Sequence, residues 1–345
     1  MTTIRMTRAI ALALSLWFIT IPAAVGQTGK AGLTGLVRDA SGAVIPEAEL
    51  VATNVETGIR RSTLSNAAGA YTVPLLEPGS YRITVRKHGF RPIEQSGVVL
   101  EVNQLARLDF NLVVGVVTEA IEVTAAPPQV DRETAALGTV LTNRQLLDLP
   151  LNTRNPFRFT LLVPGVVPGN NFGDFYNTAN AFSVNGGRPN MNEILLDGVS
   201  NAMPEANQFN LVALLPSPDA LQEFKVQTNS YPAEFGRTGG GVVNMVLKSG
   251  TNRLHGTVYE FLRNSRMDAN NFFANRSGSK LPAFRRNQFG FTAGGPIVRD
   301  RAFFFVGYEG LRQGAASVFT GTVPTAAERA GDFSRHSERV GANCL

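Results

Sequence analysis

From Gly32 to about Val113, apolar and polar residues alternate in short runs. In the run Tyr81 to Arg86, Tyr81, Ile83 and Val85 fall on one face and Arg82, Thr84 and Arg86 on the other. Ala106, Leu108, Phe110 and Leu112 oppose Arg107, Asp109 and Asn111 in the same way. A period of two marks strands with one buried face. Asp39-Ala40-Ser41-Gly42, Asn66-Ala67-Ala68-Gly69 and Glu77-Pro78-Gly79 supply turns between them. About seven strands over roughly eighty residues predict a β-sandwich, since one small sheet cannot bury both faces.

A second alternating region begins at His255. Thr257, Tyr259 and Phe261 share one face of a strand His255–Arg263, while Gly256, Glu260 and Leu262 face the other way. Phe289, Phe291 and Ala293 oppose Gln288, Gly290 and Thr292 in the next strand. A third, Ala302–Glu309, is aromatic on both faces through Phe303, Phe304, Phe305 and Tyr308. A long polar connection, Asn264 to Arg285, separates the first two, and only Val298-Arg299-Asp300-Arg301 separates the next two. Apolar residues on one side, with long and short connections in turn, fit the strands of a membrane barrel.

The middle of the chain reads as mixed α/β. Asn143 to Leu149 predicts one short amphipathic helix resting on Leu146, Leu147 and Leu149. Asp197-Gly198 and Gly186-Gly187 are hairpin-type turns beside short apolar strands. Gly236-Arg237-Thr238-Gly239-Gly240-Gly241 precedes a β-branched strand, Val242 to Val246, rather than a helix opened by Gly-Lys-Ser/Thr. Those glycines therefore read as backbone flexibility or close packing, not as a phosphate cradle.

The N-terminus predicts export. Arg5 and Arg8 precede an apolar stretch, Ala9 to Ile19, and then Pro22-Ala23-Ala24-Val25-Gly26. This is a signal peptide over residues 1–26, cut between Gly26 and Gln27, and its apolar run is too short to span a bilayer as a helix. No later segment is long and apolar enough for a transmembrane helix, so strands are the remaining way across a membrane.

Composition narrows the function. With 17% charged residues and 43% hydrophobic ones, the chain is no solvated disordered polymer. The formal charge of +5 is spread along the chain without a basic run, which argues against nucleic acid as a partner. One cysteine, Cys344, and three separated histidines, His88, His255 and His336, offer neither a disulfide nor a zinc set. With no serine–histidine–acid set and no nucleophile elbow, the expectation is no enzyme and no cofactor.

Several ordered segments resemble known families. Gly35-Leu36-Val37-Arg38-Asp39, Gly42 to Pro46, Asn66 to Tyr71 and Pro78-Gly79-Ser80-Tyr81 resemble the carboxypeptidase regulatory-like domain, a non-catalytic module with a carbohydrate-binding-like, Ig/prealbumin-like fold. Leu149 to Asn155, Leu162 to Val166, Ser183 to Arg188, Glu193 to Val199, Leu221 to Val226 and Gly239 to Asn244 resemble the plug domain of TonB-dependent receptors of the Oar-like group. Tyr259 to Asn264, Phe284 to Gly290, Gly294 to Val298 and Phe304 to Gly310 resemble the first barrel strands of the same receptors. Between sandwich and plug, Glu119, Ala120, Ile121, Glu122, Val123, Thr124 and Ala125 resemble the TonB box, the extended segment gripped by an inner-membrane motor.

The resemblance implies a mainly β chain in six parts. They are a signal peptide (1–26), a sandwich (27–114), a linker with the TonB-box candidate (115–130), a plug (131–252), the first barrel strands with a surface loop (253–334), and an aberrant tail (335–345). It implies residence in the Gram-negative outer membrane, with sandwich and plug facing the periplasm. Its partners would be TonB, outer-membrane lipid and an unidentified substrate, with carbohydrate and peptide as candidates. About 22 strands close such a barrel, so 345 residues are expected to hold only its beginning. The alternative is a secreted or surface-attached adhesion protein that uses the sandwich without transport.

Overall fold

A computed structural model describes residues 29–115, 121–123, 134–151, 153–169, 182–189, 191–203, 212–236, 238–316 and 324–334. They form two compact units, one running to Thr257 and including Phe291–Tyr308, the other comprising Val258–Gly290 and the residues from Glu309 onward.

The first unit opens with nine strands: β1 (Ala31–Asp39), β2 (Glu49–Asn54), β3 (Arg60–Leu64), β4 (Ala70–Leu76), β5 (Gly79–Arg86), β6 (Ile93–Leu100), β7 (Leu105–Arg107), β8 (Phe110–Leu112) and β9 (Ile121–Val123). One sheet is built on β1, antiparallel to β4 and parallel to β7 and β8. The other runs β3-β2-β5-β6-β9. Their apolar faces share one core that includes Leu33, Leu50, Tyr71, Ile83, Val85, Leu100 and Phe110. The alternation of Tyr81, Ile83 and Val85 points into this core as the sequence predicts.

The sandwich has eight strands before β9 where about seven are predicted, because the run ending at Leu112 breaks into β7 and β8. At the break, Leu108 donates its N–H to the Thr34 carbonyl, and its own carbonyl accepts the Tyr71 hydroxyl at 2.6 Å. That carbonyl sits where a β-carbon on Gly35 would be, only 1.7 Å away, so only glycine permits the approach. Three residues expected in a linker, Ile121–Val123, form a strand of the sandwich sheet.

Next come β10 (Leu137–Thr142), α1 (Asn143–Asp148), a 3-10 helix Pro156–Leu162, β11 (Val166–Pro168), β12 (Phe182–Val184), β13 (Glu193–Leu196), β14 (Val199–Ser200), β15 (Leu221–Asn229) and β16 (Val242–Leu247). The sheet order is β10-β15-β16-β13-β14, antiparallel except where β13 runs parallel to β16. Gln145 closes the start of α1 by accepting the Thr142 N–H at 2.9 Å. Only Leu146 of the predicted apolar trio is buried, while Leu147 and Leu149 are exposed. Asp197 and Gly198 both take left-handed conformations and join β13 to β14 as a primed hairpin turn. The other predicted turn lies one residue earlier, at Asn185-Gly186, and leads out of β12 rather than into a hairpin partner.

The last sheet runs β17 (His255–Asn264), β18 (Phe284–Val298) and β19 (Ala302–Ala315), in that order and unclosed. α2 (Phe272–Arg276) lies in the long connection, and α3 (Ala326–Arg329) follows β19. β18 and β19 outrun their predicted lengths. Arg286, Gln288 and Thr292 are buried along one face of β18, while Phe291 on the other is exposed, the predicted alternation. On β17, Thr257 hydrogen-bonds to Thr292 at 2.8 Å and Tyr259 to Glu309 at 3.1 Å, on the face these two residues share. Val258 and Leu262, on the opposite face, are exposed, and so is Phe261 on the Tyr259 face.

Candidate functional site

The TonB-box candidate is described only over Ile121–Val123, which pair parallel to β6 in the register Ile93↔Ile121, Glu94↔Glu122 and Gln95↔Val123. Glu119, Ala120, Thr124 and Ala125 lie outside the described residues, as do Gly26 and Gln27 of the signal cleavage. β6 is not one uniform edge. Its register against β5 shifts between Tyr81↔Val98 and Ile83↔Gln95, a bulge that divides it, and β9 occupies only the half before the bulge.

A second feature ties the sandwich to the central sheet. The turn at residues 101–104, between β6 and β7, is held by two side chains of β15. Glu223 Oε2 accepts the Val102 N–H at 2.7 Å. Lys225 Nζ donates to the carbonyls of Val102 at 2.8 Å and Asn103 at 3.4 Å. Both side chains are buried. Burial pushes the Glu223 carboxyl up to about 7, against the downward pull of the Val102 N–H; the Glu101 charge adds to the rise and Lys225 opposes it. The carboxyl thus exchanges its proton near neutrality, while its contact to Val102 needs only an acceptor oxygen. Sequence reading missed this pair. Its signal is two opposite charges astride Phe224 on a strand buried on both faces.

Other polar groups fix the same sheet. Asp219 pairs with Arg154 in a nearly buried ion pair. Burial lowers the Lys248 pKa, against the opposing influence of Asp219. Burial also raises the Asp197 pKa, although its Oδ1 accepts the Leu247 N–H at 2.9 Å. In the glycine run, Gly240 and Gly241 are close-packed, while Gly236 meets open space. Gly241 donates its N–H to Asn192 Oδ1 at 2.9 Å, and a β-carbon on Gly240 would lie 2.3 Å from that same oxygen.

In the second unit, Glu309 of β19 joins three strands, accepting from Tyr259 on β17 and from Gln288 on β18 at 2.8 Å. In the first unit, Asp300 in the β18–β19 turn exchanges hydrogen bonds with the Asn252 side chain at 2.7 and 2.9 Å. Among the described residues, no three His, Cys, Asp or Glu side chains gather where a metal could bind, and no helix is long and apolar enough to cross a membrane.

Comparison with known proteins agrees with this architecture. Residues 32–113 match the family model of the carboxypeptidase regulatory-like domain, and residues 246–343 match that of the outer membrane beta barrel domain. The TonB-dependent transporter Oar of Myxococcus xanthus is 27% identical over 277 residues, covering 76% of this chain but 25% of its own length. The chain thus spans about a quarter of that relative. Among solved structures, the siderophore receptor PirA from Acinetobacter baumannii is 21% identical over 50% of this chain and 24% of its own, with a TM-score of 0.37. The outer membrane transporter YddB from Escherichia coli is 20% identical over 49% and 25%, with a TM-score of 0.38. The barrel match and the relationship to Oar place the chain in the Gram-negative outer membrane. It is a relative of the TonB-dependent transporter Oar that carries a carboxypeptidase regulatory-like domain followed by strands of an outer membrane beta barrel domain.

Proposed function

We propose that the chain supplies the sandwich, plug and first barrel strands of a TonB-dependent outer-membrane transporter. The observation that carries this is its alignment along 76% of its length with one such transporter. The polar and apolar faces of β18 support it. Arg286, Gln288 and Thr292 face inward while Phe291 stands exposed, as in a strand with lipid on one side and an aqueous or protein-filled lumen on the other.

In this reading residues 131–252 are the plug, and the mixed sheet around β15 is its core. Residues 1–26 are removed on export. Sandwich and plug face the periplasm, and substrate meets the opposite face of plug and barrel. Glu119 to Ala125 is the TonB box, a segment that pairs with TonB by strand addition, and pulling on it rearranges the plug. All energy comes from the inner membrane, so the chain needs neither catalysis nor a nucleotide.

A complete receptor carrying this N-terminus tests the reading. Proline at Val123 removes a backbone donor from the segment. Crosslinking to TonB in Val123→Pro is expected to fall at least about tenfold, with uptake falling alongside. Unchanged crosslinking and uptake would contradict the assignment.

A further inference from the structure

The sandwich and the central sheet keep separate cores. The cluster around Leu33, Leu50, Ile83 and Leu100 shares no residue with the one around Phe157, Phe224, Val226 and Met245. What joins them is mostly polar and reaches from turns. At residues 101–104, Glu223 and Lys225 hold the backbone of Val102 and Asn103. Val102 is fully buried yet belongs to neither core. Beside it, a β-carbon on Gly29 would lie 2.5 Å from Asn244 Nδ2 and 2.8 Å from Val102 Cγ2, so Gly29 sits between the turn and β16. A second turn of the sandwich, at residues 55–57, accepts the Asn252 N–H on the Glu56 carbonyl at 3.0 Å.

The covered face is polar where a permanent joint would favour apolar residues. Glu223, Lys225 and Gln227 share one face of β15, opposite to Phe224 and Val226, and Asn244 pairs with Lys225 across β16. Asn103 Nδ2, Gln227 Oε1 and Asn244 Nδ2 are buried without a hydrogen-bond partner. Unpaired polar atoms cost free energy that water returns when the face opens, and buried charges hold a joint no better than well-packed apolar residues. Polar contacts between domains are of the kind that part and rejoin. We propose that the sandwich is a releasable lid on the polar face of β15 and β16, lifting from it while both cores stay folded. On the reading of residues 131–252 as a plug, the closed lid fixes β15, the strand between β10 and β16, and a rearrangement that moves β15 must first free the 101–104 turn.

Two neighbours on β16 tell a lid from a fixture. Asn244 lies against Gly29 and Val243 in the core of the central sheet, and they are 1% and 0% exposed. In the full chain in detergent micelles, with Cys344→Ser, the variants Asn244→Cys and Val243→Cys are reacted with a maleimide. Each rate is scaled to that of the same variant in denaturant. We expect Asn244→Cys to react at least about tenfold faster than Val243→Cys. Adding Glu223→Ala, which takes the acceptor from the Val102 N–H, should speed Asn244→Cys by a further fivefold or so and leave Val243→Cys unchanged. Equal rates at the two positions would overturn the proposal, because the polar face would then open only when the sheet unfolds. This first comparison leaves the fastening untouched, so it decides the question even if Glu223→Ala does not fold. Equal acceleration of both positions by Glu223→Ala would overturn the proposal by making the contact part of the sheet's own stability. No acceleration at Asn244→Cys would overturn it by removing the turn as the fastening. Neither TonB nor substrate enters the assay, so failure of the lid is distinct from failure of the plug reading.

Discussion

The sandwich and the β17–β18–β19 sheet are written in the same alternating pattern and resolve it in opposite ways. In the sandwich, two sheets turn Leu33, Leu50, Ile83 and Leu100 toward each other, and each is fully buried. In the later sheet the apolar positions Val258, Leu262, Phe291, Val306 and Tyr308 are exposed, while polar Gln288 and Thr292 are buried. A strand's period tells which residues share a face. Only the partner of that face decides whether apolar means inside. The sandwich brings its own partner; the later sheet leaves its apolar face exposed, and in the proposed reading lipid covers it.

The largest test of this contrast is truncation inside the sandwich. Ile83→Ala deletes a fully buried side chain and is expected to cost about 2–5 kcal/mol in denaturant unfolding of the chain. A loss below about 1 kcal/mol would mean the core is not closed around it. The converse substitution is Val306→Arg on the exposed face of β19. In water it should change stability by no more than about 0.5 kcal/mol, whereas in a bilayer-embedded complete receptor it should cost about 2–4 kcal/mol. Equal effects in the two solvents would remove lipid from the account.

The smallest effect concerns the contact between β15 and the 101–104 turn. The Glu223 carboxyl sits at about 7 in the folded protein against an ordinary 4.5, so the folded state holds this proton more tightly. Its contribution is therefore fully present below about pH 4.5 and is lost as pH rises through about 7. Between pH 5 and pH 8 the wild-type chain should lose about 2–3 kcal/mol more stability than Glu223→Gln, whose amide oxygen still accepts the Val102 N–H. Parallel pH profiles of the two proteins would contradict the assignment of that proton to Glu223.

Much of this was legible in sequence where structure is local. The faces of β5 and β18 follow from period two, and the Asp197-Gly198 turn follows from residues that tolerate left-handed conformations. What escaped is set by distant partners. The break at Leu108 depends on Gly35 and Tyr71, which admit its carbonyl against β1. Period two puts Thr257 and Tyr259 on one face of β17, but does not tell that Glu309, fifty positions on, takes the Tyr259 hydroxyl. The site was less legible than the fold. Nothing in Ile121–Val123 announces a parallel partner in β6, and Glu223 and Lys225 look like ordinary strand charges until the turn they hold is known.

The central claim is that the sandwich completes itself in water while the later strands need lipid. Limited proteolysis of the 345-residue chain, read by mass spectrometry with and without detergent micelles, tests it most directly. The account predicts a detergent-free resistant core containing β1–β8, with the residues after about Asn252 digested, and protection of β17–β19 when micelles cover Phe291, Val306 and Tyr308. A monomeric, detergent-free species resistant through Tyr308 would contradict it, for those strands would then belong to a sheet at home in water.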